Sequence, residues 1–371
     1  MEVLNTKMID PTEKRKESHL EIALKKEVEC EKLTGFEDVH LLHNSLPDVS
    51  LEEIDLSTKI TNHKLSAPIL IESMTGGTEK ARKVNSNLAM VAEELNIAIG
   101  VGSQRAAIEN PKLIDTFKIV RQKAPTAFIF ANIGAPQLIK GYGIEKIQEA
   151  IEMVDANALF IHLNPLQEVI QFEGDTNFRG LSSKIGTICD SLKIPVFVKE
   201  TGAGISMEVA KILEKTGVTG INVAGYGGTN WAYVEYCRAM EKKDKLRRRL
   251  GKIFMDWGIP TAVSVFEVSK STKLTIIASG GIRNGLHIAK SLALGANLAG
   301  MALPLLRSAF KGVNSLKNSL LYTIEELRTA MFLTGVKKIE EMRKVPVVIT
   351  GTTGEWLIHR GFDLKSFSKV K

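Results

Sequence analysis

The sequence predicts an α/β chain folded as a single (β/α)8 (TIM) barrel, with an N-terminal extension and a C-terminal helical tail. Three observations predict it. Eight short β-rich runs alternate with helical stretches through the middle of the chain. Most of these runs are apolar at nearly every position, as strands of a parallel sheet covered by helices are. Eight such units in about 250 residues match the size of a closed barrel. An open, doubly wound sheet is the rival architecture for the same alternation.

Residues 1–66 form the extension. Its start, MEVLNTKMIDPTEKRKESH, has no apolar core and so shows no secretory signal. A charged helix is expected from about Pro11 to Lys26. A loop-rich run with Leu41, Leu42, Leu46 and Ile54 is expected to cover the bottom or side of the barrel. The barrel is assigned to residues 67–314. Its strands are read in APILIESM from Ala67, IAIGVGS from Ile97, TAFIFANI from Thr126 and ALFIHLN from Ala158. They continue in PVFVKET from Pro195, GINVAG from Gly220, LTIIASG from Leu274 and NLAGMA from Asn297. Helical patterns such as TEKARKVNSNLAMVAEEL and GIEKIQEAIEMV lie between them. The unit after strand six is long. It carries CRAMEKKDKLRRRLGK before DWGIPTAVSVFEV resumes as a helix with Pro260 in its opening turn, where a missing N–H is harmless. Residues 315–371 form the tail, with a helix TIEELRTAMFLTG closed by Gly335 and then GTTGEWLIHRG and a basic end.

Composition narrows the partners. The chain has 371 residues, 44% of them hydrophobic, enough for one large barrel. A net charge of +7, from 49 basic and 42 acidic side chains, is a weak argument for nucleic acid. The basic segment holding Lys242, Lys243, Lys245, Arg247, Arg248, Arg249 and Lys252 lacks the interleaved aromatics on which bases stack. No run approaches the ~20 apolar residues of a membrane span. Cys30, Cys189 and Cys237 lie far apart and make no metal or redox spacing, which points to a reducing, cytoplasmic location.

Function in such a barrel sits at the C-terminal ends of the strands. Strand one ends in SMTGG, with Met74 and Thr75; strand two ends in GSQRAA, with Ser103 and Arg105; strand three delivers Asn132. Strand four ends in HLNPLQE, which gathers His162, Asn164, Gln167 and Glu168, groups costly to bury without a partner. Strand five delivers Lys199 after an apolar run, so a negative partner is expected. Strand six runs into AGYGGTNWA, with Thr229 and Trp231. Strand seven ends SGGIRNG, with Gly280, Gly281 and Arg283, and strand eight ends GMALPLLRSA, with Met301 and Ala302. The last two loops match the phosphate site that barrels often build there. No Walker loop or dinucleotide fingerprint is present. The phosphate therefore fits a mononucleotide cofactor such as a flavin.

Taken in order, RKESH (Arg15 to His19), SMTGG, GSQRAA, HLNPLQE, VKE around Lys199, GGTNWA and SGGIR resemble the type 2, flavin-dependent isopentenyl diphosphate isomerases over about residues 13–305. Asn284 stands where many relatives have Asp, a helix-cap difference. The resemblance implies interconversion of isopentenyl and dimethylallyl diphosphate. It implies FMN active in its reduced form, Mg²⁺, NADPH or NADH as reductant, and a homo-oligomer, tetramer or octamer. Met331, Phe332 and Leu333 cannot all face one core, which motivates a subunit contact there.

The resemblance also implies roles. FMN is expected against Met74, Thr75, Ser103, Asn132, Lys199, Thr229, Gly280, Gly281, Arg283, Met301 and Ala302, with Lys199 near N1 and O2. Arg15, Lys16, His19, Ser103, Arg105, His162, Asn164, Gln167 and Trp231 are expected to meet the substrate. Along the strand Phe160, His162 and Asn164 share one face, and His162 and Asn164 are expected to donate to diphosphate oxygens. Glu168 is the expected Mg²⁺ carboxylate, completed by diphosphate oxygens and water. Gln167, His162 and Lys199 are the catalytic candidates. Gln167 does not titrate usefully, so it orients the alkene or passes a proton through a linked group. A flavin 2-hydroxy-acid oxidase or dehydrogenase is the runner-up, sharing the phosphate loops and strand-five lysine. A cysteine-based dehydrogenase fails because no cysteine sits at a strand end.

Overall fold

Strand alternation sorts the barrel into an inner and an outer core. The computed structural model describes residues 11–365, 367 and 368; the first ten residues, in which no secretory signal is expected, and the last basic residues lie outside the described residues. The barrel strands are β1 (Ile69–Ile71), β2 (Ala98–Gly100), β3 (Ile129–Gly134), β4 (Ala158–His162), β5 (Val196–Lys199), β6 (Gly220–Asn222), β7 (Thr275–Ala278) and β8 (Leu298–Met301). They pair in parallel and close in the order β7-β8-β1-β2-β3-β4-β5-β6. Closure excludes the open sheet.

Outward residues such as Ile69, Ile71, Leu159, Ile161, Val196, Val198 and Met301 join the core beneath the helices. Inward residues Leu70, Ala98, Phe130, Phe160, Phe197, Ile277 and Leu298 fill the lower barrel. Phe130 and Phe160 stack with centroids 4.0 Å apart, and Phe197 meets Phe130 edge-on at 5.2 Å. Two residues further up each strand, the same inward face carries Glu72, Asn132, His162, Lys199, Asn222, Ser279 and Gly300. The interior thus changes from apolar to polar in one step of the pleat.

The bottom is closed by a hairpin, Thr58–Ile60 paired with His63–Leu65, whose Ile60 and Leu65 join the inner core. This differs from the expected leucine-rich cover. Ile54 is buried, but Leu46 is 88% exposed and Leu42 is also exposed. The missed signal is TKITNHKL, two short runs around a turn in which Thr61 has φ 50°. The tail is tied to the extension by an antiparallel pair, Val39–Leu41 with Val347–Ile349. Its helix is longer than the sequence suggests, Val313–Thr334, and ends at Gly335 with φ 72°. Within it Met331 is buried and Leu333 exposed.

Candidate active site

Sequence order places the polar inward residues at the top of the barrel, where they floor a cavity of about 240 Å³. Lys199 reaches across from β5 to Glu72, just past β1, with Nζ 2.5 Å from Oε2. This is the negative partner that a buried lysine requires. Beside it His162 Nδ1 lies 2.8 Å from Asn132 Oδ1. Asn132 Nδ2 is spent on the Val101 carbonyl, so its oxygen accepts and the imidazole donates from Nδ1. Burial, then the Lys199, Lys16 and Arg15 charges, bring His162 down to about 3. The ring is neutral and leaves Nε2 as an acceptor, whereas a donor to diphosphate was expected.

One wall comes from the extension. Helix Pro11–Lys25 lies over its own barrel, with Leu20 and Ala23 buried at the cavity edge. Spacings of four and three put Arg15, Lys16 and His19 on one side of the helix, and all three line the cavity. Lys16 Nζ donates to the Ser103 carbonyl at 2.6 Å. Burial and the Arg15 and Arg105 charges lower its ammonium to about 7. Burial and Arg105 likewise lower Arg15. Arg105 is itself anchored by Glu109 at 2.7 Å.

His19 packs edge-on against Trp231, centroids 5.2 Å apart, and its Nε2 lies 2.8 Å from Glu235 Oε1. The same carboxylate oxygen accepts from Gln167 Nε2 at 3.3 Å, and Oε2 accepts from Arg238 at 2.6 Å. Burial alone would raise the Glu235 carboxyl; the bonds from His19 and Arg238 outweigh it and hold it at about 2. Gln167 is therefore linked to a buried carboxylate and, through it, to His19.

Opposite, Pro165 starts the helix Pro165–Ile170 and turns Gln167 and Glu168 back to the rim. Glu168 Oε1 accepts from Asn164 Nδ2 at 2.7 Å, and Oε2 accepts from Gln171 and the Asp175 N–H, both at 2.6 Å. Asn164 Oδ1 is buried with no protein partner. Among the described residues no three His, Cys, Asp or Glu gather as a metal cluster. One carboxylate with a spare amide oxygen fits a hard cation that keeps water and substrate oxygens as its other ligands.

The phosphate cradle forms where the loops after β6, β7 and β8 meet. Gly280 (φ 96°) and Gly281 (φ 74°) press against the backbone of Gly225 and Gly227, leaving no room for a Cβ. Helix Leu303–Lys311 begins beside them with no side-chain cap at Ala302; Pro304 has no N–H, and the Leu305 and Leu306 N–H groups turn back to the Ala302 carbonyl, which leaves the Leu303 N–H to face an anion. Ser73 Oγ, on the same cavity, is buried without a partner. The close-packed glycine loops and the Leu303 N–H fit a flavin mononucleotide phosphate.

Known proteins resemble this chain in sequence and in fold. The family model for FMN-dependent dehydrogenases matches residues 169–348. The isopentenyl-diphosphate delta-isomerase of Pyrococcus furiosus is 50% identical over 365 residues, covering 96% of this chain and 91% of that one. The chain belongs to the isopentenyl-diphosphate delta-isomerase family. The Methanosarcina mazei isopentenyl-diphosphate delta-isomerase is 49% identical over 362 residues, covering 97% and 98%. A mandelate oxidase solved with an FMN adduct superposes with a TM-score of 0.60 at 15% identity, over 90% of this chain and 92% of that one, a likeness of fold alone.

In this isopentenyl-diphosphate delta-isomerase family member, the cavity brings together Arg15, Lys16, His19, Met74, Thr75, Ser103, Arg105, Asn132, His162, Asn164, Gln167, Glu168, Lys199, Thr229, Trp231, Gly280, Gly281, Arg283 and Ala302. Met301 is the exception. It is the outward residue of its strand and lies in the helix-side core, so its side chain does not line the cavity. Sequence reasoning missed Glu72, Asn222, Glu200 and Glu235. Glu72 stands in the quoted IESM and repeats the inward period of Leu70, a signal that was available. Glu200 is buried and accepts from the N–H groups of Thr201, Gly202 and Ala203 at 2.6 Å each, shaping the loop after β5. Burial pushes its carboxyl up to about 7 against those bonds. Glu235 lies in an ordinary-looking helix, Trp231–Glu241, and nothing local marks it.

Proposed function

We propose that this enzyme interconverts isopentenyl diphosphate and dimethylallyl diphosphate by a 1,3-allylic proton shift, with FMN and Mg²⁺ as cofactors and NADPH or NADH as the reductant that keeps the flavin reduced. One observation carries the reading. A cationic helix bearing Arg15, Lys16 and His19 faces the Asn164–Glu168 segment across a cavity floored by Lys199. A 2-hydroxy-acid substrate needs neither the extra cations nor a lone metal-type carboxylate.

The reaction adds a proton at the terminal alkene carbon, giving a tertiary cationic centre, and removes one from the carbon beyond it. Reduced FMN, when bound, supplies an electron-rich face and a proton-exchanging edge. Arg15 grips the diphosphate as a fork, and Lys16 and Arg105 add charge. Glu168, with the Asn164 amide oxygen, would hold Mg²⁺, which would supply further positive charge for the diphosphate. His162 accepts a proton at Nε2 as the diphosphate arrives and then donates to it. Gln167 borders the hydrocarbon and can exchange a proton only through Glu235 and His19. Trp231 walls the pocket and excludes water from the cation. Lys199 balances negative charge on the reduced ring. These placements fix the allylic carbons relative to the cofactor, which is where most of the rate gain lies when no strong acid or base is present.

Assembly as a cytoplasmic tetramer or octamer is part of the proposal. Leu333 and the 69% exposed Tyr322 on the tail helix, with the exposed Phe310 on the last barrel helix, support a subunit contact; a monomer by light scattering would exclude it. The deciding experiment is anaerobic isomerisation with dithionite-reduced FMN and titrated Mg²⁺. Dimethylallyl diphosphate is expected only when both are present. Oxidation of a hydroxy acid with no isomerisation would select the dehydrogenase reading instead.

A further inference from the structure

One buried carboxylate takes no part in gripping the diphosphate, yet it organises the cavity floor. Glu72 lies just past β1, directly across the barrel from Lys199 on β5. It accepts from Lys199 Nζ at 2.5 Å, from Asn222 Nδ2 at 2.6 Å and from the Ser73 N–H at 3.3 Å. Ser279 Oγ donates to Asn222 Oδ1 at 2.5 Å, so the amide is locked with its nitrogen toward Glu72. Gly300 on β8 leaves the space that the carboxylate occupies; a Cβ there would collide with it. Below, Phe160 lies 5.4 Å from Lys199 Nζ and offers no water. Six strands thus supply parts whose shared effect is to hold one negative charge against one lysine.

We propose that Glu72 is a positioning residue that fixes Lys199 and counterbalances its charge, and so sets how strongly the site prefers reduced over oxidised FMN. The inference rests on the reading of this cavity as an FMN site. A lysine alone would favour the more negative, reduced ring. A carboxylate in contact with that lysine cancels much of the field, and the low-dielectric floor lets the cancellation reach the cofactor. A ring whose negative charge is fully neutralised is a poor base, so partial cancellation suits proton exchange better than maximal binding.

The test is the ratio of dissociation constants for oxidised and dithionite-reduced FMN, measured anaerobically on the full chain by fluorescence and absorbance. Glu72→Gln should raise that ratio at least about tenfold, which for a two-electron couple is about 30 mV. The double variant Glu72→Gln/Lys199→Met should fall back to the parental ratio or below it. If Glu72→Gln does not fold, Gly300→Ala displaces the same carboxylate without changing a charge, and the same rise is expected. An unchanged ratio, an equal loss of both affinities, or a rise that survives in the double variant overturns the proposal. If the unmodified protein binds FMN in neither state, the cofactor reading fails first and the inference with it.

Discussion

Raising the pH through neutrality should weaken substrate capture before it slows chemistry, and Lys16 is the reason. Burial and its neighbours Arg15 and Arg105 bring its ammonium down to about 7. At that value about nine in ten copies are charged at pH 6, about one in ten at pH 8 and about one in a hundred at pH 9. If only the charged form grips the diphosphate, kcat/KM drops about tenfold from pH 6 to 8 and about tenfold again by pH 9. Bound diphosphate restores the charge, so kcat at saturation should stay level. Lys16→Arg should hold kcat/KM flat to pH 9, because a guanidinium does not titrate there. Lys16→Met should be low at every pH. Stability runs the other way. The folded pKa lies below the unfolded value, so the unfolded chain binds more protons between about 7 and 10 and stability rises with pH in that window. Initial rates with reduced FMN and saturating Mg²⁺, beside melting curves in the same buffers, check both slopes. A break near pH 7 that survives in Lys16→Met, or no break below pH 9 in the parent, refutes the reasoning.

Glu168→Gln should raise the Mg²⁺ concentration for half-maximal rate by about tenfold or more while FMN affinity changes little, since the amide loses the charge that draws the cation; a parental Mg²⁺ curve would reject the metal role. Gln167→Ala should lower kcat and leave that curve in place. Glu235→Gln should cost about 3–5 kcal/mol in urea unfolding, because it leaves Arg238 short of a buried partner, and should slow turnover by about 10²-fold or more if it relays the proton; normal turnover in a destabilised variant would make it structural only. In the parent, the Glu235 contribution to stability is present above the ordinary carboxylate range and is lost only as the pH falls toward about 2. Inorganic diphosphate with Mg²⁺ should slow amide exchange across residues 12–25; unchanged exchange there would separate that helix from anion binding.

The barrel was legible because its strands are short, apolar on both faces and punctuated at both ends, and all eight were read within a few residues of where they lie. The rim residues were legible for a different reason: a strand that ends in HLNPLQE or VKE carries groups that must have a purpose or a partner. What escaped was whatever depends on contacts between distant segments. Lys199 announced a missing anion, but sequence spacing cannot say that the anion is Glu72, 127 residues earlier. The hairpin under the barrel was overlooked because its runs are three residues each and half polar. Met301 was misjudged by one step of the pleat, and a one-residue shift sends a side chain to the opposite face. Glu235 sits in a helix whose local pattern is unremarkable, and only the fold brings His19, 216 residues away, to its oxygen.

That last contact bears on why the extension is needed at all. The barrel supplies the metal-type carboxylate and the polar floor, but apart from Arg105 it brings few cations to the upper rim. Helix Pro11–Lys25 supplies the rest, and it does so at an electrostatic cost. Arg15, Lys16 and Arg105 crowd together, and each of the first two is pulled down in pKa partly by the others. The helix is held by Leu20 and Ala23 on its buried side, by the His19–Glu235 bond, and by Lys80 reaching Glu17 and Glu21 at 2.8 and 2.9 Å on its exposed side. The exposed pairs contribute little in water. A diphosphate entering between the cations turns mutual repulsion into attraction on every member of the group at once. His19 and Glu235 are already in register with Gln167, with Glu235 at 2.8 Å from His19 and 3.3 Å from Gln167, so the helix is seated over the cavity before any anion arrives. On the roles proposed above, anion recognition by Arg15 and Lys16 and the proton route through His19 share one helix.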